Sequence, residues 1–335
     1  MMYDVNNGKE TPRIVAIGGG TGMPGLLRGL TAYTHNITAV VTVADDGGSS
    51  GRLRRELGLL PPGDFRNNMA ALSRDEALMT QLLQYRFGSS VSGGDENGAP
   101  GDLRGHAFGN LLLAALAGIT GSFDEALLAA QRVLAMRGRV VPSTLEHVTL
   151  VAEVLVARGG ETAVLERVVG ESAIPKAGGK IQRVDLEPAN VRAYPPALRA
   201  IFQADLIVMG PGSLYTSILP NLLISDLAEA LKHARAPKVY VCNLATQPGE
   251  TDDYTVADHV HALLDHIPAG CLDMVLANDN LSLAADVGGG RTVFVQPVAP
   301  RGAVRLVTAD LVDEKRPWRH DSQKVAKRVM ELLTS

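Results

Sequence analysis

The chain has 335 residues, of which 46% are hydrophobic and 20% charged, enough for one large α/β domain or two modest ones. Its formal charge of −4 excludes the basic excess typical of nucleic-acid-binding proteins, so we expect no nucleic-acid partner. The two cysteines form no Cys-x-x-Cys pair, and the polar amino terminus is unlike a signal peptide. We therefore expect a cytoplasmic protein without membrane insertion.

The first part of the chain alternates between strand and helix patterns. A strand, a helix, a strand and a helix are predicted at Arg13–Ile17, Pro24–Tyr33, Ile37–Ala44 and Arg52–Leu57. Further helices are predicted at Arg66–Leu72, Asp75–Tyr85, Leu111–Ala117 and Phe123–Leu134. Since Leu111–Ala117 is the most apolar, we expect it to be central. The segment 89–101 is rich in Gly, Ser, Asp and Asn and is predicted to be a flexible loop.

The second part changes character and then returns to the opening pattern. Between 139 and 190, β-rich runs separated by glycine pairs predict a small antiparallel insertion, with strands at Val148–Val156, Thr162–Val168 and Ile181–Leu186. Buried parallel strands are then predicted at Ala204–Met209, Lys238–Asn243 and Met274–Ala277. The predicted fold class is α/β: a Rossmann-like, doubly wound, mostly parallel sheet with that insertion. We expect a single domain over 11–320 and a carboxy-terminal helix, 321–335, packed on it.

The first candidate site is the glycine-rich turn after the first strand. Gly20-x-Gly22-x-x-Gly25 has the spacing of a dinucleotide-binding turn, and Gly19 and Thr21 belong to the same loop. Glycine lets the backbone approach a phosphate, and the N–H groups of a first helical turn favour an anion. The loop has no Gly-Lys-Ser/Thr ending, which argues against a Walker-type site. A tight corner between strand and helix, without ligand, remains an alternative.

The second candidate site follows the second strand. Two adjacent carboxylates, Asp45 and Asp46, precede a glycine–serine stretch that contains Ser49 and Ser50 and ends at Arg52. These carboxylates could bind ribose hydroxyls, hold a Mg²⁺ near a diphosphate, or deprotonate an acceptor hydroxyl. The serines begin another helix able to take an anion. Helix capping is the structural alternative.

Further candidates come from other loops. Gly212 and Ser213 follow a strand that should end at the same crevice, because ligands sit outside the carboxyl ends of parallel strands. Asn110 and Asn243 would suit base or sugar recognition, and Arg301 would suit phosphate. Each of these residues could instead be a cap, a turn or a solvated charge.

Together these segments resemble one protein family. The motifs that carry the resemblance are Ile17-Gly-Gly-Gly-Thr-Gly22, Asp45-Asp-Gly-Gly-Ser-Ser-Gly-Arg-Leu-Arg54, Pro61-Pro-Gly-Asp64, Gly109-Asn-Leu111, Gly210-Pro-Gly-Ser-Leu-Tyr-Thr-Ser217 and Thr246-Gln-Pro-Gly-Glu-Thr251. The chain resembles the bacterial YvcK-type gluconeogenesis factors within the CofD-like superfamily. The motifs run in order from about residue 13 to residue 312, which is nearly the whole chain.

The resemblance implies a Rossmann-like fold with one crevice and a set of site residues. Gly20, Thr21 and Gly22 would contact a diphosphate, and Asp45 and Asp46 would form the ribose, metal or acceptor group. Gly212, Ser213 and Asn243 would add nucleotide contacts. The YvcK branch is associated with UDP-sugar binding, growth on gluconeogenic carbon sources, cell shape and peptidoglycan precursor supply. The CofD branch transfers 2-phospho-L-lactate from a nucleoside diphosphate donor to a deazaflavin hydroxyl, with Mg²⁺.

Three functional hypotheses follow. The first is a regulatory protein that binds a UDP-sugar or another nucleotide diphosphate, with no tightly bound cofactor. The second is a CofD-like transferase, in which Asp45 and Asp46 would be catalytic and Asp45 could ligate Mg²⁺. The third is an NAD(P)-binding oxidoreductase, suggested by the glycine spacing and by Asp45 twenty residues after Gly25. A homo-oligomer is compatible with all three.

Overall fold

The computed structural model describes residues 11–88, 103–157, 162–282, 286–287, 290–291 and 293–333, so the predicted loop 89–101 lies outside the described residues. The strands are β1 (Ile14–Gly18), β2 (Ile37–Val41), β3 (Arg139–Pro142), β4 (Thr149–Val156), β5 (Val164–Val169), β6 (Lys180–Glu187), β7 (Leu206–Met209), β8 (Lys238–Val241), β9 (Met274–Asn278), β10 (Asp286–Val287), β11 (Gly290–Arg291), β12 (Arg305–Ala309), β13 (Val312–Asp313) and β14 (Arg316–His320).

The helices lie between these strands and after the last of them. They are α1 (Met23–Leu30), α2 (Gly48–Leu57), α3 (Gly63–Leu72), α4 (Glu76–Gln84), α5 (Phe108–Thr120), α6 (Phe123–Val133), α7 (Pro195–Gln203), α8 (Leu219–Leu222), α9 (Ser225–His233), α10 (Val256–Leu264) and α11 (Ser322–Glu331). A 3₁₀ turn at Ile174–Lys176 and a π-helix at Leu214–Ile218 complete the description.

A seven-stranded sheet forms the centre of the molecule. Its strand order is β12-β9-β8-β7-β1-β2-β3, and every neighbouring pair is parallel. The residues of β1, β7, β8 and β9 are all buried, as expected for short apolar strands covered by helices on both faces. The predicted α/β class with a mostly parallel sheet is confirmed.

The sheet has a topological switch point beside β1. From β1 the chain extends outwards through β2 and β3, and it later returns to the other side of β1 through β7, β8 and β9. Where the strand order reverses in this way, α/β proteins bind ligands in a crevice outside the carboxyl ends of the strands. The fold therefore places the loops after β1 and β7 at the usual position of a ligand site.

The antiparallel insertion is shorter than the sequence pattern predicts. The predicted boundary was 139, but Arg139–Pro142 is β3, which pairs in parallel with β2 and extends the main sheet. Val140 and Val141 explain this placement, because both are buried where helices α3, α6 and α7 pack against β3. The antiparallel sheet, ordered β5-β4-β6, begins at Thr149 and is inserted between β3 and α7.

Helix α5 is less central than its composition predicts. Only Gly109, Asn110, Leu113 and Ala117 are buried, and Ile119 is 79% exposed. The reason is that α3 covers β2 and β3, so α5 packs outside it against α4 and α6. Among the described residues no single helix is long and apolar enough to span a membrane; α5 and α6 reach that length and composition only as a pair bent by 117°.

Helix α11 packs against α1. A Cβ on Gly29 of α1 would lie 2.0 Å from the Ser322 carbonyl oxygen, so the absence of a side chain lets the two helices touch. The carboxy-terminal helix thus covers the helix that follows the glycine turn. The division of the chain into one domain with an appended helix stays a prediction.

Candidate functional site

The glycine loop after β1 lies backbone to backbone against the loop after β7. A Cβ on Gly22 would be 2.5 Å from the Pro211 carbonyl oxygen, and one on Gly212 would be 3.3 Å from the Gly19 carbonyl oxygen. Gly20 has φ +65° and would meet the Ser217 hydroxyl at 2.9 Å. Close packing between the two loops therefore requires these glycines, whatever ligand the crevice receives.

An aspartate holds the glycine loop from the other side. The N–H of Gly20 donates to the Asp64 Oδ2 atom at 2.7 Å. Burial raises the pKa of the Asp64 carboxyl to about 6; the hydrogen bond from Gly20 opposes this and the charge of Asp45 adds to it. The Gly20 N–H, which we predicted from the sequence to contact a diphosphate, thus already has a hydrogen-bond acceptor in the protein. Thr21, beside it, is exposed.

The two adjacent aspartates contact different parts of the molecule. Asp45 Oδ1 accepts the N–H of Gly47 at 2.9 Å, and Ser50 also bonds to this carboxylate. Asp46 Oδ1 accepts the N–H of Ser172 at 2.9 Å, in the loop after β5. Burial raises the pKa of Asp45, and the charge of Asp46 contributes. Asp45 therefore bonds within its own loop, beside Asp64, and Asp46 joins that loop to the insertion.

A glutamate from the insertion completes an acidic group. Burial raises the pKa of Glu171 to about 8, with further contributions from the negative charges of Asp45, Asp64, Asp46 and Glu250. Sequence reasoning missed Glu171 because no motif marks it and 126 residues separate its loop from Asp46. Asp64 was quoted within a motif but given no role. Among the described residues, no three of these groups are arranged as a ready-made metal site.

The serines of the second candidate site belong to a buried polar network. Ser49 Oγ lies 3.0 Å from the His106 Nδ1 atom and accepts from Asn110 Nδ2 at 3.0 Å. Arg66 Nη1 donates to Asn110 Oδ1 at 3.1 Å. All four side chains are buried, so they fix the start of α2 against α5 and α3. A direct ligand contact by Ser49, Ser50 or Asn110 stays a prediction.

The two predicted arginines lie in different places, Arg52 on α2 beside the buried polar network and Arg301 far from it. Arg52 Nη2 donates to the Arg104 carbonyl oxygen at 2.9 Å, on the chain that leads into α5. The Arg301 N–H lies 3.4 Å from the Nε2 atom of His261, in the last turn of α10, shortly before β12 begins. Because β12 begins at the amino-terminal edge of the sheet, Arg301 lies near that edge. The glycine and aspartate loops lie at the carboxyl edge, so the structure does not bring Arg301 together with them.

The loops after β7 and β8 meet through Ser213. Its hydroxyl donates to Glu250, accepts the Thr216 N–H at 3.1 Å, and so caps the π-helix. Burial raises the pKa of Glu250, and the bonds from Ser213 and Thr216 oppose this. Asn243, at the end of β8, donates to Gln247 Oε1 at 2.6 Å. Its own Oδ1 atom is buried and has no hydrogen-bond partner in the described part of the chain.

Comparison with known proteins identifies relatives along most of the chain. The family model described as 2-phospho-L-lactate transferase CofD matches residues 14–300. The gluconeogenesis factor of Bacillus subtilis is 44% identical over 332 residues, covering 97% of this chain and 99% of that protein. The gluconeogenesis factor of Halalkalibacterium halodurans is 49% identical over 265 residues, covering 79% and 77%.

A solved structure has the same fold. The crystal structure of a member of the UPF0052 family from Bacillus halodurans superimposes with a TM-score of 0.83 at 42% sequence identity, covering 96% of this chain and all of that one. This likeness extends over the main sheet and its insertion. From the motifs, the fold and these matches we conclude that the chain belongs to the CofD family, and its relatives there are named gluconeogenesis factors.

Proposed function

We propose that this protein is a regulatory protein that binds a nucleotide-diphosphate-linked sugar, a UDP-sugar, in the crevice. Its role would lie in growth on gluconeogenic carbon sources, in cell shape and in the supply of peptidoglycan precursors. The proposal rests mainly on one observation. The glycine-rich loops after β1 and β7 meet at the switch point of the sheet, where α/β proteins bind nucleotides. The unpartnered Oδ1 atom of Asn243 supports this, since it suits a donor on a sugar or base.

The acidic group suggests how a diphosphate would be accommodated. The negative charges of Asp45, Asp46, Asp64 and Glu250 all raise the pKa of Glu171, so the crevice is acidic and an added anion would also meet repulsion. A Mg²⁺ ion that accompanies the diphosphate would remove this repulsion. Hard carboxylate oxygens fit this ion, which usually binds one or two carboxylates together with substrate phosphates. Asp45 and Asp64 are the residues that would hold it.

Isothermal titration with UDP-N-acetylglucosamine and UDP-glucose tests this function. We expect saturable binding to one site per chain, tighter with Mg²⁺ than without it. A parallel titration with NAD separates the dinucleotide alternative. A folded protein that takes up neither UDP-sugar, with or without Mg²⁺, would contradict the proposal.

A CofD-like transferase is the second candidate, because the family match covers residues 14–300 and Asp45 is a partly buried carboxylate with a raised pKa. Such a group could accept the proton of an acceptor hydroxyl near neutral pH. In this case Asp45→Asn should retain nucleotide binding and lose Mg²⁺-dependent turnover. Asp265→Asn, at the exposed end of α10, is the matched control and should retain both.

Substrate choice makes that experiment decisive. Turnover is measured with deazaflavin acceptors and with nucleotide-sugar donors. If the unaltered protein shows no Mg²⁺-dependent turnover with either class, the transferase proposal fails while the binding proposal stands. The sequence is compatible with a homo-oligomer without requiring one, and sedimentation equilibrium determines the oligomeric state.

A further inference from the structure

A second cavity lies at the opposite edge of the main sheet, where β1, β2 and β3 begin and α7 ends. Its volume is about 640 Å³, within the range of about 300–1,000 Å³ that is usual for small-ligand sites. We call it the amino-edge cavity. Its lining includes Arg13, His35, Asn36, Arg139, Arg199 and Gln203.

The strand register builds this cavity. Ile14 pairs with Ile37, and Thr38 pairs with Arg139, so the first residues of β1, β2 and β3 lie side by side. Gly138 has φ +127°, and a Cβ there would lie 2.9 Å from the Ile37 carbonyl oxygen. The close approach of β3 to β2 thus needs this glycine, and it positions Arg139 at the rim of the cavity.

The charge of the lining is one-sided. Among the described residues its titratable side chains are Arg13, His35, Arg139 and Arg199, with no aspartate or glutamate, although the whole chain has 36 acidic and 32 basic residues. Arg13 is neutralised by Asp205, with 2.9 Å between Nη2 and Oδ1. In the described part of the chain, by contrast, neither Arg139 nor Arg199 takes part in an ion pair. Two guanidinium groups therefore line one cavity, and residues 11–333, as far as they are described, supply neither with a carboxylate partner.

We propose that the amino-edge cavity binds a small anionic metabolite that carries a phosphate or diphosphate group, with Arg139 and Arg199 as its principal contacts. The guanidinium fork matches phosphate oxygens in pairs. The amides of Asn36 and Gln203 add polar contacts, and the apolar ends of β1 and β2 offer a surface for the rest of the ligand. Since charge-assisted contacts dominate, binding weakens as salt is added.

This site is separate from the crevice. The five residues of β1 lie between the two, which at about 3.3 Å per residue corresponds to roughly 16 Å. Strands β1 and β2 thus have their carboxyl ends beside the acidic group and their amino ends at the basic cavity. The proposal does not depend on which nucleotide the crevice receives.

Arginine footprinting with inorganic pyrophosphate locates the site. The folded protein is treated with phenylglyoxal with and without pyrophosphate, and modified arginines are quantified by mass spectrometry. We expect protection of Arg139 and Arg199 and none of Arg132, an exposed arginine of α6 outside the cavity. Sodium chloride of equal ionic strength should protect none of them.

Titration calorimetry with pyrophosphate measures the contribution of the two arginines. In the double variant Arg139→Ala/Arg199→Ala we expect pyrophosphate to bind the amino-edge cavity at least about tenfold more weakly, because two charge-assisted contacts are removed. If pyrophosphate also binds in the crevice, the titration should lose only the contribution of the cavity. Arg132→Ala should bind like the unaltered protein, and both variants should fold, because all three side chains are exposed. Unchanged binding in the double variant, or equal protection by chloride, overturns the proposal. Protection by an oligonucleotide but not by pyrophosphate also overturns it.

Discussion

The Oδ2 atom of Asp64 accepts the backbone N–H of Gly20 at 2.7 Å, so an acidic side chain from the start of α3 holds the turn that ends β1. A phosphate-binding turn would ordinarily leave such an amide open to its ligand. Here the carboxylate occupies the position at which an anion would accept. The turn is therefore held in shape by the protein itself before any ligand arrives.

Substituting Asp64 tests this anchoring. Asp64→Ala leaves the Gly20 N–H without its acceptor and should lower the free energy of unfolding by about 1–3 kcal/mol. Asp64→Asn keeps an amide oxygen that can accept the same bond and should lose less. Urea denaturation at pH 7 measures both variants. Equal losses in the two would show that the negative charge, not the hydrogen bond, holds the turn.

The glycines of the turn are predicted to be required for packing. A Cβ on Gly22 would lie 2.5 Å from the Pro211 carbonyl oxygen, a backbone atom that cannot move aside cheaply. Gly22→Ala should therefore lower Tm by several degrees without ligand present. Gly118→Ala on α5 meets no atom within 4 Å and is the control, which should stabilise by up to about 1 kcal/mol. A neutral Gly22→Ala would contradict the packing argument.

Glu171 should make stability depend on pH. Its pKa is raised from 4.5 to about 8 in the folded protein, so the folded state favours the protonated form. The stability from this group is present below pH 4.5 and is lost as the pH rises through about 8. Glu171→Gln mimics the protonated form and should raise Tm by roughly 5 °C or more above pH 8, and hardly at all near pH 4.5.

The Tm of the unaltered protein and of Glu171→Gln is measured by thermal unfolding at several pH values between 4.5 and 9. The matched control is Glu153→Gln, on the exposed face of β4, whose curve should follow that of the unaltered protein. A Glu171→Gln curve parallel to the unaltered one at every pH would mean that Glu171 is ionised in the folded state without cost.

Asn243 is predicted to contribute to ligand affinity rather than to stability. Its Oδ1 atom is buried without a partner, so removal of the side chain costs the free protein only the hydrogen bond from Nδ2 to Gln247, about 1 kcal/mol. Asn243→Ala should weaken UDP-sugar binding about five- to tenfold, the usual effect of one lost hydrogen bond in a binding site. Asn190→Ala, at an exposed position after β6, should leave affinity unchanged. A fall in Tm with unchanged affinity would make Asn243 a structural residue.

The sequence predicts those parts of the fold that local patterns determine. Buried β-branched runs indicate β1, β2, β7, β8 and β9 correctly because both faces of a central parallel strand are apolar. β12 was missed because it lies at the edge of the sheet and most of its residues are exposed or half-buried. β3 was assigned to the insertion because a β-branched run does not show which sheet it joins.

The candidate site was predicted in its loops but not in its contacts. The glycine, aspartate and Gly-Pro-Gly loops do end neighbouring strands, as chain order suggests. Glu171 reaches them only because the insertion folds back over the crevice, a long-range packing event that no local spacing reveals. Arg301 was chosen for its residue type alone, and residue type does not show at which edge of a sheet a loop lies.

The different contacts of Asp45 and Asp46 also affect how genetic experiments on this motif are read. Consecutive side chains of an extended segment point in opposite directions, and here one faces the crevice and the other holds the loop at Ser172. A strain that carries both substitutions would mix a change in the loop after β2 with a weakened contact to Ser172. The single Asp46→Ala strain reports on the contact with the insertion, and the single Asp45→Asn strain reports on the carboxylate beside Asp64.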